Sequence, residues 1–130
     1  MFNDFGRFVK KYTITSSAIT TSAVSFTDTV QGDSLIVEQI IVRTDSTGLA
    51  GGTNFVISQS SGKGLANVFV ETVANLGANK TVTAGSVTNI PTILDIGSTL
   101  KVNNTVAVGT GAGTIDIFVY FRKLSSVSVI

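Results

Sequence analysis

The stretch GDSLIVEQIIVRTDSTGLAGGTNFVISQSS, residues 32–61, decides the fold of this chain. Its first part, residues 35–42, consists mainly of residues that favour β-strands, and both of its faces are largely apolar. Such a strand is expected in the middle of a sheet. Residues 53–59 repeat the alternation, and the Gly-rich loop 45–52 between the two segments is too long for the tightest hairpin turns. We therefore expect two strands whose connecting loop can cross between two sheets.

The first of these strands presents two sets of side chains if its alternation is uninterrupted. These sets are Leu35, Val37, Gln39, Ile41 and Arg43 on one face, and Ile36, Glu38, Ile40 and Val42 on the other.

Further strand patterns lie on both sides of this pair, and no segment shows a sustained helical period. The cleanest is residues 114–123, in which Ile115, Ile117, Val119 and Phe121 form one apolar face and the other face carries Phe118 and Tyr120. The remaining strand patterns cover residues 7–15, 23–27, 66–74, 80–84, 92–96 and 99–108, with a loop over 85–89. With turns about every eight to twelve residues, this spacing predicts a single all-β domain over residues 1–130. We expect an antiparallel β-sandwich of about seven to nine strands, which would be jelly-roll-like if eight strands form its two sheets.

The N-terminal segment, residues 1–8, admits two interpretations. Phe2, Phe5 and Phe8 recur every three residues, which suits an arm that anchors onto a neighbouring subunit through its aromatic rings. Alternatively, the segment is the loose start of a first strand in which Phe8 and Tyr12 alternate with Val9.

The C-terminal tail, residues 125–130, alternates Ser with apolar residues and ends on an apolar residue. An apolar terminus of this kind is expected to dock on a sheet edge, either within the subunit or in a neighbour. Together with both aromatic residues on the outer face of segment 114–123, the two termini supply the predicted assembly contacts. These are Phe2, Phe5, Phe8, Phe118, Tyr120, Val127, Val129 and Ile130.

The composition points to an uncharged surface. Charged residues make up only 13% of the 130 residues, which is about half of the usual share, and the chain contains 18 Thr and 14 Ser. Thr suits exposed strand positions and Ser suits turns, so an ordinary β-domain surface explains these numbers. The other explanation is that much of the surface is buried against partner subunits, because so few charges protect a monomer poorly from association.

Several classes of function lack the residues that they need. The net charge is +1 and the Lys and Arg residues are scattered, so no basic surface for direct nucleic-acid binding is predicted. No run approaches the ~18 apolar residues of a membrane-spanning helix. The chain contains no His and no Cys, which excludes imidazole- and thiol-based catalysis and metal sites. The eight acidic residues show no spacing that suggests a catalytic pair, and we expect neither enzymatic activity nor a cofactor.

Two loops nevertheless resemble ligand sites. Asp45 and Asn54 could hold a calcium ion through carboxylate and carbonyl oxygens, although an ordinary wide loop with Asp at its start explains the same residues. The sequence GTGAG at residues 109–113 resembles a phosphate loop, but it precedes a predicted strand and so lacks the helix N-terminus that would bind phosphate.

Two segments, GDSLIVEQIIVRTDSTGLAGGTNFVIS and GTGAGTIDIFVYFRKL, resemble small virion structural proteins of bacteriophages, of the capsid decoration, head-fibre and minor capsid kind. The resemblance implies a β-sandwich, often trimeric, that lies on or in a capsid and carries no catalytic residues. It implies as partners further copies of the chain and other virion proteins.

The resemblance, together with the lack of catalytic residues, therefore implies a non-enzymatic virion structural protein that acts by self-assembly. The alternative is a carbohydrate-binding or adhesin-like module, which would need exposed aromatic platforms. The absence of Trp and the presence of only Tyr12 and Tyr120 count against this alternative.

Overall fold

A computed structural model describes residues 6–60, 63 and 66–126 of the chain, and within them the regular structure is β-strand apart from three short 3-10 helices. The 3-10 helices cover Ser16–Ala18, Val73–Leu76 and Leu124–Ser126. The ten strands are β1 (Arg7–Thr15), β2 (Val24–Ser25), β3 (Leu35–Thr44), β4 (Asn54–Gln59), β5 (Asn67–Thr72), β6 (Thr81–Val82), β7 (Val87–Thr88), β8 (Thr92–Leu94), β9 (Leu100–Asn104) and β10 (Thr114–Lys123).

The strands form two antiparallel sheets. In sheet A, β10 lies between β1 and β3, and both β6 and β8 pair with the far edge of β3. In sheet B the order is β2-β9-β4-β5-β7. The all-β antiparallel sandwich predicted from the sequence is confirmed. The loop over residues 45–52 runs from β3 in sheet A to β4 in sheet B, as expected from its length.

The core fills the space between the sheets. The inward face of β10 supplies Ile115, Ile117, Val119 and Phe121, as its alternation predicted. From sheet B, the fully buried rings of Phe55 and Phe69 pack edge to face, with their centroids 6.4 Å apart. Edge-to-face packing is a favoured arrangement of aromatic pairs.

Strand β3 does not follow the uninterrupted alternation that its sequence suggested. Its register with β10 places Tyr120 opposite Gln39 but Phe121 opposite Val37, so Glu38 is an extra residue at a β-bulge. A bulge shifts the phase of the side chains along a strand. Val37 is therefore buried together with Ile40 and Val42, which the simple alternation had assigned to the opposite face. The inward face of β3 therefore includes Val37, Ile40 and Val42, which come from both of the predicted sets.

Further boundaries differ from the sequence prediction. The strands expected over residues 23–27, 80–84 and 92–96 are shorter, at Val24–Ser25, Thr81–Val82 and Thr92–Leu94. The strand expected over residues 66–74 ends at Thr72, where the chain enters a 3-10 helix. The strand expected over residues 99–108 ends at Asn104, because Thr105 turns back to bond the backbone of residues 53 and 54. Val106, which alternation had placed on the strand, has a φ of 77° and is 84% exposed. Within the predicted loop 85–89, Val87–Thr88 pair with β5 and form β7, so the described residues contain ten strands where seven to nine were predicted.

Candidate assembly surface

The outer face of sheet A is a grid of side chains set by the register of β1, β10 and β3. In its two central rows Tyr120 lies between Val9 and Gln39, and Phe118 lies between Lys11 and Ile41. We call this grid the outer face; its two end rows are Arg7, Arg122, Ile36 and Ile93 at one end and Thr13, Asp116, Arg43 and Thr81 at the other.

Apolar side chains of the outer face remain in contact with water. Val9 is 50% exposed, Ile93 is 46% exposed and Tyr120 is 39% exposed, while Phe118 and Ile41 are partly buried by their neighbours. Single exposed apolar residues are ordinary, but a contiguous group on a flat sheet is typical of a contact surface.

One end of the outer face is a cluster of three charged side chains made possible by the bulge. Glu38 accepts hydrogen bonds from Nε and Nη2 of Arg122, at 3.1 and 3.2 Å, and its Oε1 lies 3.5 Å from Nε of Arg7. Arg7 and Arg122 are cross-strand neighbours, so the shared carboxylate offsets the repulsion between two adjacent guanidinium groups. These ions are partly exposed, so their contribution to stability is small.

The carboxylate at the opposite end is also paired. Asp116 accepts a 2.7 Å hydrogen bond from the Thr13 hydroxyl, and its Oδ2 lies 3.8 Å from the Lys11 ammonium. The same ammonium lies 6.0 Å from the centre of the Phe118 ring, at the limit of a cation–π contact. The outer face thus combines apolar side chains in its central rows with carboxylates that are paired at both ends, and apolar residues surrounded by polar ones are common in protein interfaces.

The structure separates the predicted assembly residues. Phe118 and Tyr120 lie in adjacent rows of the outer face. Phe8 belongs to the inner layer, where its ring stacks on Phe121 with centroids 5.2 Å apart and planes at 26°. The arm interpretation is therefore not needed for Phe8, which occupies the first strand of the alternative interpretation. The remaining predicted contacts, Phe2, Phe5, Val127, Val129 and Ile130, lie outside the described residues.

The sequence did not single out the other apolar residues of the outer face. Val9 could have been found, because it alternates with Phe8 in the predicted first strand. The sequence alone could not identify Ile41, Ile36 and Ile93. Their position beside Phe118 and Arg122 follows from strand register, which joins residues far apart in the chain.

Two shallow clefts indent the end of the outer face near the bulge. One, of about 300 Å³, is lined by Arg7, Val9, Glu38 and Tyr120 with the edges of two core rings. The other, of about 680 Å³, lies beside β8 and is lined partly by Ile36, Pro91 and Ile93. The first cleft combines an exposed aromatic ring with charged groups, and the second is mainly aliphatic.

The Asp45 carboxylate is occupied by donors from its own chain. Its Oδ1 accepts hydrogen bonds from the backbone N–H groups of Thr47 and Gly48, at 2.9 and 2.7 Å. Its Oδ2 accepts bonds from the backbone N–H and the hydroxyl of Thr114, at 2.9 and 3.1 Å. These bonds, with that from Gly48 the strongest, lower the pKa of Asp45 to about 2. Because four N–H and O–H donors already occupy the lone pairs of this carboxylate, the loop ties β3 to β10 and does not suit calcium.

The GTGAG segment serves close packing of backbones. A Cβ atom at Gly113 would lie 2.0 Å from the carbonyl oxygen of Gly48, and one at Gly109 would lie 2.1 Å from that of Ser16. Only glycine permits these approaches. Within the part of the chain that the structure describes, no group of three or more His, Cys, Asp or Glu side chains is placed to hold a metal ion.

Comparison with known proteins leaves this surface as the main guide to function. No family model, no curated protein and no solved structure matches this chain. Across residues 6–60, 63 and 66–126, no helix has the length and apolar character needed to cross a membrane.

Proposed function

We propose that the chain is a non-enzymatic structural subunit of a phage virion, a capsid or capsid-associated protein that acts by self-assembly. In this proposal the outer face of sheet A is a contact with a neighbouring subunit. The observation that carries it is the plan of that face, in which Val9, Phe118 and Tyr120 form an apolar centre and every described carboxylate on the face is already bonded to a cation or a hydroxyl. Burying such a face leaves no isolated negative charge, which would be costly.

The order of strand pairing supports a finer assignment of the fold, the jelly roll. Apart from the two-residue strands β6 and β7, eight strands remain. Among them β1 pairs with β10, β2 with β9, β3 with β8 and β4 with β5. This is a long hairpin whose halves are then joined by the pairs β3–β10 and β4–β9. Jelly rolls of eight strands occur in viral capsid proteins and in lectins, so the topology is compatible with the proposed class without identifying it.

The proposal is tested by the mass of the purified protein in solution, measured by light scattering after size exclusion over a range of concentrations. We expect an oligomer, and the resemblance to phage proteins favours a trimer. Tyr120→Glu introduces a charge into the apolar centre and should shift the protein to the monomer. Val87→Glu is the matched control, because Val87 is similarly exposed, at 47%, but lies at the edge of sheet B. Loss of assembly in both variants, or in neither, would contradict the role of the outer face.

A carbohydrate-binding or adhesin-like role is the second candidate. It is favoured by the cleft of about 300 Å³ in which the Tyr120 ring lies beside Arg7 and Glu38, an aromatic platform with polar neighbours. A glycan array probed with wild-type protein and Tyr120→Ala tests it. Binding that depends on Tyr120 in a monomeric protein would replace the assembly proposal.

A further inference from the structure

The sheets of this protein end in strands of very different lengths. Among the described residues, sheet B ends in β2 and β7, which have two residues each, and the far edge of β3 carries β6 and β8, with two and three residues. Short edge strands offer little backbone for another chain to pair with. β1 is different, because it has nine residues and pairs with β10 at all nine positions without a bulge. Its other edge is a long template for a further strand.

Lys10 lies at the middle of this edge strand and on its inner layer. Its register partner is Val119, which is fully buried, and its neighbours on the same face of β1 are Phe8 and Tyr12, which pack on the core. Lys10 also lines, with both rings, a crevice of about 120 Å³ at the open side of the sandwich. The side chain is 48% exposed, and its ammonium lies 3.6 Å from the exposed carboxylate of Asp28.

This position gives Lys10 access to water only while the outer edge of β1 is unpaired. A strand added beside β1 would extend the inner layer and place its own side chains next to the Lys10 stem. The ammonium would then be enclosed among Phe8, Tyr12 and the new strand. Burying a charge without full compensation is strongly unfavourable, and inward-pointing charges on edge strands are a known protection against strand addition.

We propose that Lys10 keeps the outer edge of β1 closed to β1 of a second copy of the chain. The two copies would otherwise pair antiparallel about a two-fold axis and join their A sheets into one. Lys11, the next residue, does not act in this way, because it lies on the outer face beside Asp116 and would remain in water beside an added strand. This inference does not depend on the outer face being a subunit contact.

The test compares Lys10→Thr with Lys11→Thr. Both variants remove one positive charge from the same strand and introduce a residue that strands tolerate well, but they change opposite layers. Self-association is measured by light scattering over a concentration series, and hydrogen exchange of the amides of residues 7–15 reports whether the β1 edge becomes paired.

We expect Lys10→Thr to associate at least about tenfold more tightly than the wild-type protein, with slower exchange of β1 amides, and Lys11→Thr to leave the exchange of the β1 amides as in the wild type. The proposal is overturned if Lys10→Thr gains no association, if Lys11→Thr protects the β1 amides as much, or if the association of Lys10→Thr occurs without protection of β1. A monomeric wild-type protein whose Lys10→Thr variant pairs through β1 would contradict self-assembly through the outer face and leave this inference standing. If the wild-type protein is oligomeric and Lys10→Thr does not change its association, the role of Lys10 is contradicted and self-assembly through the outer face still stands.

Discussion

Replacing Phe8 with Ala should destabilise the fold and leave self-association unchanged. The sequence offered Phe8 as an assembly contact, but its ring stacks on Phe121 in the inner layer of sheet A. Truncation removes this stacking and opens a void at one end of the core. The other aromatic residue in question, Tyr120, lies on the opposite face of the same sheet, so the two positions make a matched pair.

The size of the effect follows from the burial of the ring. Truncating a fully buried Phe to Ala costs about 3–5 kcal/mol. Phe8 is only partly buried and belongs to an edge strand, so we expect a loss of about 2–3 kcal/mol in the free energy of unfolding, including the aromatic pair. For a chain of this length, about 3–5 °C of melting temperature corresponds to each kcal/mol. The melting temperature should therefore fall by about 10 °C.

The assay is thermal unfolding followed by circular dichroism, run beside the light-scattering series. Tyr120→Ala should lower the free energy of unfolding by about 1 kcal/mol or less, because no second layer covers that ring, and should weaken association. Phe8→Ala should lower the free energy of unfolding more strongly and leave association unchanged, when association is measured well below its melting temperature. An unchanged melting temperature for Phe8→Ala, together with weaker association, would refute the placement of Phe8 in the core and support the N-terminal arm.

Two further predictions concern the loops that join the sheets. Gly113→Ala should destabilise the protein by about 3 kcal/mol, the upper end of the usual cost of overpacking, because its Cβ would overlap the carbonyl of Gly48. Gly77→Ala is the control, because a Cβ there meets no atom within 4 Å and should be tolerated. Urea unfolding of the two variants measures the difference in stability. The pKa of Asp45 is lowered to about 2, so its bonds stabilise the fold above the ordinary Asp pKa of about 3.9, and this stability is lost as the pH falls through that value toward 2. Asp45→Asn should flatten this part of the stability profile measured between pH 5 and pH 2, and an unchanged acid limb would contradict the role of the carboxylate.

The sequence predicted those elements whose local pattern is unambiguous. β1 and β10 have the predicted boundaries. β10 alternates without interruption from Ile115 to Phe121, and β1 keeps its strand pattern although Lys10 interrupts its apolar face. The bulge at Glu38 was not predictable, since the run LIVEQIIV is apolar on both faces and nothing in it marks a change of phase. The end of β9 at Asn104 was missed for a related reason: Val106 continues the alternation, and only the hydrogen bonds of Thr105 to a distant segment end the strand.

The candidate surface was predictable in part. Phe118 and Tyr120 were identified because β10 is apolar on one face, which makes aromatic residues on its other face conspicuous. Their neighbours on β3 were not, because the rows of the grid join residues far apart in the chain, such as Ile41 and Phe118. Lys10 also escaped notice, since its meaning depends on β1 being an edge strand with Lys10 on the inner layer.

The charges of the outer face bear on the symmetry of any assembly. The face carries four cationic side chains, Arg7, Lys11, Arg43 and Arg122, against the two carboxylates of Glu38 and Asp116. An isologous dimer would press two such faces together and bring like net charges into contact, which opposes association. A two-fold dimer could also form by pairing of β1 with β1 of a second copy, but we propose that Lys10 prevents this pairing. In the proposed assembly, a ring in which the outer face meets a different surface of the next subunit avoids both costs, and this is a physical argument for a cyclic arrangement over a two-fold dimer.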